Sequence, residues 1–330
     1  SNSMAWKRLM NSIKKILNYF KLPLDIVIAI LIIPSSVVMF LFRKVGSHKL
    51  VLSKSILKKF GIFPITSNYY EPLFNFDNLT NKLNDKRDLP GVNFNIDDQI
   101  KNLDKLNFSK ELQELDLNNY SPNFKFNINN SFFEAGDAEI YYQMIRYFKP
   151  KKIIEIGSGQ SSLIAKEAIK NNKKIDNIVS ELTCIEPYEN KWLEKNDIKV
   201  IRKKVEEVDA NIFTTLDKND ILFIDSSHVI KPQGDIVKIF LEILPKLKSG
   251  VIIHVHDIFS PRDYLEKWLK IENRFFNEQY LLEGILDSTT RYSILFSLNF
   301  LKHDFYKDLN NVCPYLNNKS EPSSFYIKVN

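Results

Sequence analysis

The chain has 330 residues, 44% of them hydrophobic, enough for one large α/β domain with extensions, and it shows no internal repeat or low-complexity block. Its two cysteines, Cys184 and Cys313, are far apart in sequence, which excludes a disulfide framework or a metal knuckle and fits a reducing compartment. The net charge of +6 suggests nucleic acid only until it is located: residues 1–60 hold eleven Lys or Arg against one acid, Asp25, a local +10 that leaves −4 for the remaining 270 residues. A nucleic-acid surface spreads its basic residues over the folded domain, so no nucleic-acid partner is expected.

In the basic segment, Trp6, Leu9, Met10, Ile13, Ile16, Leu17 and Phe20 recur at helical spacing with lysines on the other face, the pattern of an interfacial helix. Ile26 to Phe42 then runs seventeen residues without a charge, interrupted by Pro34, Ser35 and Ser36. That is the lower limit for crossing a bilayer, and a central proline disfavours one straight helix. Basic residues flank the run on both sides, so charge bias does not set an orientation. Residues 1–60 are therefore expected to be a monotopic anchor or re-entrant hairpin, holding a cytoplasmic protein to the inner face of the membrane. The alternative is a soluble helical arm packed against the domain or a partner chain. No small-residue cleavage site follows the run, so a cleaved signal is not expected.

Residues 61–134 are irregular, with Tyr69, Tyr70 and Glu71 beside two prolines, and short helices suggested by Ile100, Leu103, Leu106, Leu112 and Leu115. The segment reads either as a lid with aromatic walls or as a packed extension. From Asp137 the pattern becomes regular. Ala138 to Phe148 reads as a helix stopped by Pro150, and Ile153, Ile154 and Ile156 form a short β-branched run, a buried parallel strand. Gly157 and Gly159 end it, and SSLIAKEAIKNN continues with helical periodicity. A glycine turn between strand and helix lets a ligand approach the backbone beside a helix N-terminus. Taken alone, two such glycines also occur in plain turns.

Further apolar runs follow at Thr183 to Ile185, Ile198 to Ile201, Ile221 to Ile224 and Val251 to Val255, with a helix over Asp235 to Leu244. In an open parallel sheet ligands bind outside the carboxyl ends of the strands, and those ends carry Glu155, Glu186, Asp225, His228, His256 and Asp257. Any one of these is readily a cap or turn residue. Six at one edge are hard to explain as packing. Glu186, after the second strand, is placed to accept hydrogen bonds from both hydroxyls of a ribose, although it lies nearer thirty than twenty residues beyond the glycines.

The segments EIGSGQSS, CIEPY, DILFIDSSH and GVIIHVHDIF, joined by NYYEPLF and NEQYLLEG, resemble the successive motifs of class I S-adenosylmethionine-dependent methyltransferases. The likeness spans roughly residues 60–330 and is strongest to bacterial small-molecule and sugar O-methyltransferases associated with surface-polysaccharide genes. It implies a Rossmann-like α/β fold over 135–330, a seven-stranded mostly parallel sheet. Tyr292 to Ser297 and Ser324 to Val329 would form its antiparallel C-terminal hairpin. It implies a methyl-donor site at Glu155, Gly157, Ser158, Gly159, Ser161 and Glu186, with Ser161 standing where many relatives have a third glycine. Transferred by position, Asp225, His256 and Asp257 become ligands of a divalent cation such as Mg2+. His228, three residues after Asp225, becomes the general base, suited by an imidazole pKa near working pH.

A dinucleotide enzyme or a nucleotide-sugar enzyme on a similar fold is the second reading. A pyrophosphate favours the full G-x-G-x-x-G spacing, and Ser162 stands where its third glycine belongs. A non-catalytic membrane-attached binding module is the third. Arg262, Asp263, Asn277, Glu278 and Gln279 are expected near the acceptor pocket, or else as caps and surface charge. The expected acceptor is a small-molecule or lipid-linked sugar.

Overall fold

The computed structural model describes residues 2–119, 126–188, 190–196 and 198–330. The chain divides into two compact units, Ser1–Leu79 and Thr80–Asn330. The stretch read as an irregular extension, 61–134, falls in both.

The first unit begins with one helix, α1 (Asn2–Val45), that contains Pro23 and Pro34. The break expected at Pro34, and with it the re-entrant hairpin, does not occur. A proline removes one backbone donor from the helix without ending it here, and the adjoining Ser35 Oγ donates to the Leu31 carbonyl at 2.9 Å. Within α1, Phe20–Val45 is 26 residues long with mean hydropathy 2.6 and none of its most apolar stretch buried, so by length and composition it is able to cross a bilayer. A turn leads to α2 (Val51–Lys59), which buries no residue.

In the second unit, α3 (Ile96–Leu103) and α4 (Ser109–Glu114) precede the regular alternation of α5 (Asp137–Phe148), β1 (Lys152–Ile156), α6 (Gln160–Asp176), β2 (Glu181–Ile185), β3 (Lys199–Ile201) and β4 (Ile221–Ile224). Then come α7 (Asp235–Val237), continued by a π-helical turn over Lys238–Ile243, β5 (Ile252–Val255), α8 (Glu278–Ser288), β6 (Tyr292–Ser297), α9 (Leu298–Asp304), α10 (Tyr306–Val312) and β7 (Phe325–Val329). The sheet order is β3-β2-β1-β4-β5-β7-β6. The first five strands are parallel, and β7 runs antiparallel to both β5 and β6, as expected for the C-terminal pair. After β3 the chain returns to the other side of β1, so the carboxyl ends of β1 and β4 flank the reversal point where such sheets open a crevice.

Strand residues alternate between two layers. Ile153, Ile221, Phe223 and Ile252 face α5 and α6, and leucines 103, 106, 112 and 117 join that core, which ties most of the irregular segment into the domain. Ile154, Ile156, Leu222, Ile224, Ile253 and Val255 face the opposite layer, with Ile236, Phe240 and Leu282.

Candidate active site

A cavity of about 720 Å³ opens at the reversal point, lined by Gly157, Ser158, Gly159, Ser161, Glu186 and Asp225 among others. Gly157 has φ +76°, and a Cβ there would lie 1.7 Å from the backbone oxygen of Asp225, so this turn admits only glycine. Its N–H donates to the Ile185 carbonyl at 3.0 Å, which ties the turn to the end of β2. Gly159 is extended and leads into the N-terminus of α6. Asn190 pins this loop from outside, donating through Nδ2 to the Ser158 carbonyl at 2.7 Å. Glu186 caps the end of β2, accepts the Tyr188 N–H at 3.0 Å, and lies on the cavity wall facing the glycines.

Glu155 is not on that wall. It shares the face of Ile153, and strand alternation carries its side chain into the α5/α6 layer, fully buried, where Tyr141 OH donates to it at 3.1 Å and Ser162 Oγ and Cys184 also bond to it. Burial raises this carboxyl to about 7 against the partial relief of those bonds.

The second cluster stands at the ends of β4 and β5. Asp225 follows β4, and His228 and Asp257 both adopt left-handed backbone, φ 58° and 60°, uncommon for non-glycine residues and concentrated at functional sites. His228 Nε2 lies 3.2 Å from Asp225 Oδ1 and 3.5 Å from Asp257 Oδ2, while Nδ1 lies 2.8 Å from Glu278 Oε2. Asp225, His228 and Asp257 each offer one ligand atom, all within 4.8 Å of one another. Burial alone would lower the His228 pKa, but its bonds to Asp225 and Glu278 and the charge of Asp257 outweigh this and hold it well above the ordinary value. Against its own burial, Asp225 is depressed by the charges of His256 and His228.

His256 does not join this group of three. It lies on the same sheet face as His254, packed against Phe133 with ring centroids 5.1 Å apart, and its Nε2 is 3.5 Å from Asp137 Oδ2. Its Nδ1 is 3.2 Å from Asp257 and 3.7 Å from Asp225, so it underlies the acids from the α5 layer. The ligand set expected as Asp225, His256 and Asp257 therefore differs from this group by one histidine.

Of the residues expected at an acceptor pocket, Glu278 reaches the cluster and the others brace loops. Gln279 accepts the Phe259 N–H at 2.7 Å and donates to the Arg262 carbonyl, Arg262 pairs with Asp304 at 2.8 Å, and Asp263 accepts from Tyr280. Glu278 clasps His228 twice, because the N–H groups of Asn277 and Glu278 also donate to the His228 carbonyl at 3.0 and 3.2 Å. Sequence reasoning missed Asp137, which accepts the N–H groups of Ser323 and Ser324, and Ser323, whose Oγ donates to Asp257 at 3.1 Å. It also missed Phe132, a ring 79% exposed on the cavity rim, held there by a turn in which Asn130 accepts the N–H groups of both Phe132 and Phe133.

Residues 154–258 match the family described as a methyltransferase domain. An uncharacterized protein of Archaeoglobus fulgidus is 30% identical over 199 residues, covering 55% of this chain and 86% of its own length. Among solved structures, the plantazolicin methyltransferase BpumL in complex with SAH is similar with 15% identity and a TM-score of 0.34, over 72% of this chain and 98% of its own. An O-methyltransferase from Bacillus cereus, also in complex with SAH, has 11% identity and a TM-score of 0.34, over 70% and 91%. Likeness at that level says nothing of this chain's acceptor. The chain belongs to the same family as the Archaeoglobus protein, and its residues 154–258 match a methyltransferase domain on a Rossmann-like sheet.

Proposed function

We propose that the enzyme methylates a hydroxyl of a sugar or glycolipid intermediate at the cytoplasmic membrane surface, with His228 taking the hydroxyl proton. The observation that supports this reading is that Asp225 belongs both to the glycine-lined cavity and to the His228 cluster, so a donor bound in the cavity would stand beside the proposed base. Glu186, on the cavity wall, would accept from ribose hydroxyls, and the Gly157–Gly159 backbone leaves room at the α6 N-terminus that a side chain at Gly157 would close. S-adenosylmethionine supplies a methyl group on a sulfonium, and with no phosphate to bind it does not need the missing third glycine. The apolar helix α1 suits an acceptor that is itself held at a membrane.

Glu278, paired with the Nδ1 side of the ring, leaves Nε2 as the atom that exchanges a proton with the acceptor. Nε2 accepts only when the ring is neutral, whereas, against burial, Asp225, Glu278 and Asp257 hold the ring's pKa well above its ordinary value, so the base role requires that surrounding negative charge to be offset. The donor set of Asp225 and Asp257 fits a divalent cation, which would lower the hydroxyl pKa and compete with the proton on His228. A second reading follows from the distances: His228 Nε2 is close enough to both acids to be a third ligand, giving a mixed nitrogen and oxygen site that suits Mn2+, Fe2+ or Zn2+ better than Mg2+.

His228→Ala separates the two readings. Measured by donor titration, bound metal and transfer of labelled methyl to a glycolipid extract, it should keep donor and metal while losing methyl transfer by about 10²–10⁴-fold. Loss of metal together with turnover makes His228 a ligand. Unaltered turnover removes it from the chemistry.

A further inference from the structure

The basic charge of the first unit does not end with α1. Beyond it, Leu52 and Ile56 of α2 and Phe60 at its C-cap recur at intervals of four, on one face, with Lys54 and Lys58 on the other and Lys59 at the margin beside Leu52. Leu52 is 77% exposed and Phe60 75%, and nothing in α2 is buried. Between residues 43 and 60 there is no acid at all. Arg43 is engaged with Glu71 and lies over the Phe63 ring, but Lys49, Lys54, Lys58 and Lys59 have no carboxylate partner among the described residues. Only five residues, 46–50, separate this helix from the end of the 26-residue apolar stretch.

An unpartnered apolar stripe is costly in water. A stripe flanked by unpaired lysines and joined to a bilayer-length helix has one surface that satisfies both features, an anionic membrane interface. We infer that α2 is a second, interfacial contact: Leu52, Ile56 and Phe60 enter the headgroup boundary of an acidic bilayer, and Lys49, Lys54, Lys58 and Lys59 meet its anionic headgroups. Juxtamembrane lysine clusters gain affinity from the negative surface potential, so the contact selects acidic over zwitterionic lipid. This rests on the reading of Phe20–Val45 as the membrane anchor. It adds an orientation to α2 and a lipid class.

Two serines on α2 test it, since Ser53 falls on the side of Ile56 and Phe60 while Ser55 falls between Lys58 and Lys59. The native Cys184 and Cys313 are buried, so an introduced cysteine labels selectively. The full-length chain, carrying an environment-sensitive fluorophore at Ser53→Cys, Ser55→Cys or Ile33→Cys, is reconstituted into phosphatidylcholine vesicles with or without phosphatidylglycerol, and quenching by brominated lipid is read. In acidic vesicles the Ser53→Cys probe should be quenched at least about twofold more than the Ser55→Cys probe. The difference should shrink in pure phosphatidylcholine and after combined Lys54→Glu, Lys58→Glu and Lys59→Glu substitution. Quenching at Ile33→Cys with none at Ser53→Cys overturns the inference and leaves the anchor intact. No quenching at Ile33→Cys removes the anchor instead. Crosslinking of Ser53→Cys between copies assigns the stripe to a second chain and also overturns it.

Discussion

The cavity around Gly157 and the cluster around His228 share Asp225, yet they are made differently. The cavity side is shaped by backbone: a left-handed glycine, a carbonyl where a Cβ would be, and a helix end. The His228 side consists of titratable side chains held by one another, with His228 and Asp257 in backbone conformations that the surrounding contacts must maintain. A site built from backbone tolerates no added atom but little depends on charge. A site built from buried paired charges depends on each of them, for its chemistry and for the stability of the partner left behind. The two halves should therefore fail in different ways.

The largest effect is expected at their junction. Gly157→Ala places a methyl against the Asp225 carbonyl in a left-handed conformation, and should cost more than about 3 kcal/mol in denaturant unfolding while abolishing donor binding. An intact, donor-binding variant would mean the turn is less rigid than the geometry shows.

Beneath the glycine turn, Glu155 gives a pH signature. Burial raises its carboxyl from 4.5 in the unfolded chain to about 7 in the folded one, so the folded state holds the proton more tightly. Its contribution is fully present below pH 4.5 and is lost as pH rises through 7, a fall of up to about 3 kcal/mol. Glu155→Gln should flatten this slope in unfolding midpoints taken across the range. Glu139, raised by burial to a similar value, retains its own share. An unchanged slope would show that Glu155 is ionised in place.

Glu278→Gln should lower turnover by about 10–100-fold with donor affinity unchanged, since it removes the charge behind His228 and keeps a hydrogen-bond acceptor for Nδ1. A drop in donor affinity of the same size would join the two halves into one. The smallest effect is expected for Glu186→Ala, a loss of about tenfold in donor affinity with turnover at saturating donor preserved.

The difference between the halves also decides what the sequence discloses. Gly157, Gly159 and Glu186 sit at strand ends that hydrophobic runs reveal, and a turn needing glycine advertises itself. The pairing of His228 with Glu278 joins residues fifty positions apart across a loop and α8, and no local pattern encodes it. Glu155 and His256 stood at the expected strand ends but point into the α5/α6 layer. In a strand buried on both faces, the apolar run conceals which side each residue takes. Leucines 103, 106, 112 and 117 belong to the main core, in line with the packed extension rather than the lid of the two readings that the polar turns between them left open. The uninterrupted α1 shows the limit of proline as a helix-breaking signal, since Pro34 lies in an apolar helix whose neighbouring serine bonds back to the chain.

The central claim is that a methyl-donor site exists apart from the proton-accepting cluster. Calorimetric titration of the wild-type chain and of His228→Ala with S-adenosylmethionine, with and without a divalent cation, tests it most directly. The account predicts saturable one-to-one binding of equal affinity in both proteins. Absence of binding alongside saturable binding of a dinucleotide or nucleotide sugar, or loss of donor binding in His228→Ala, would contradict it.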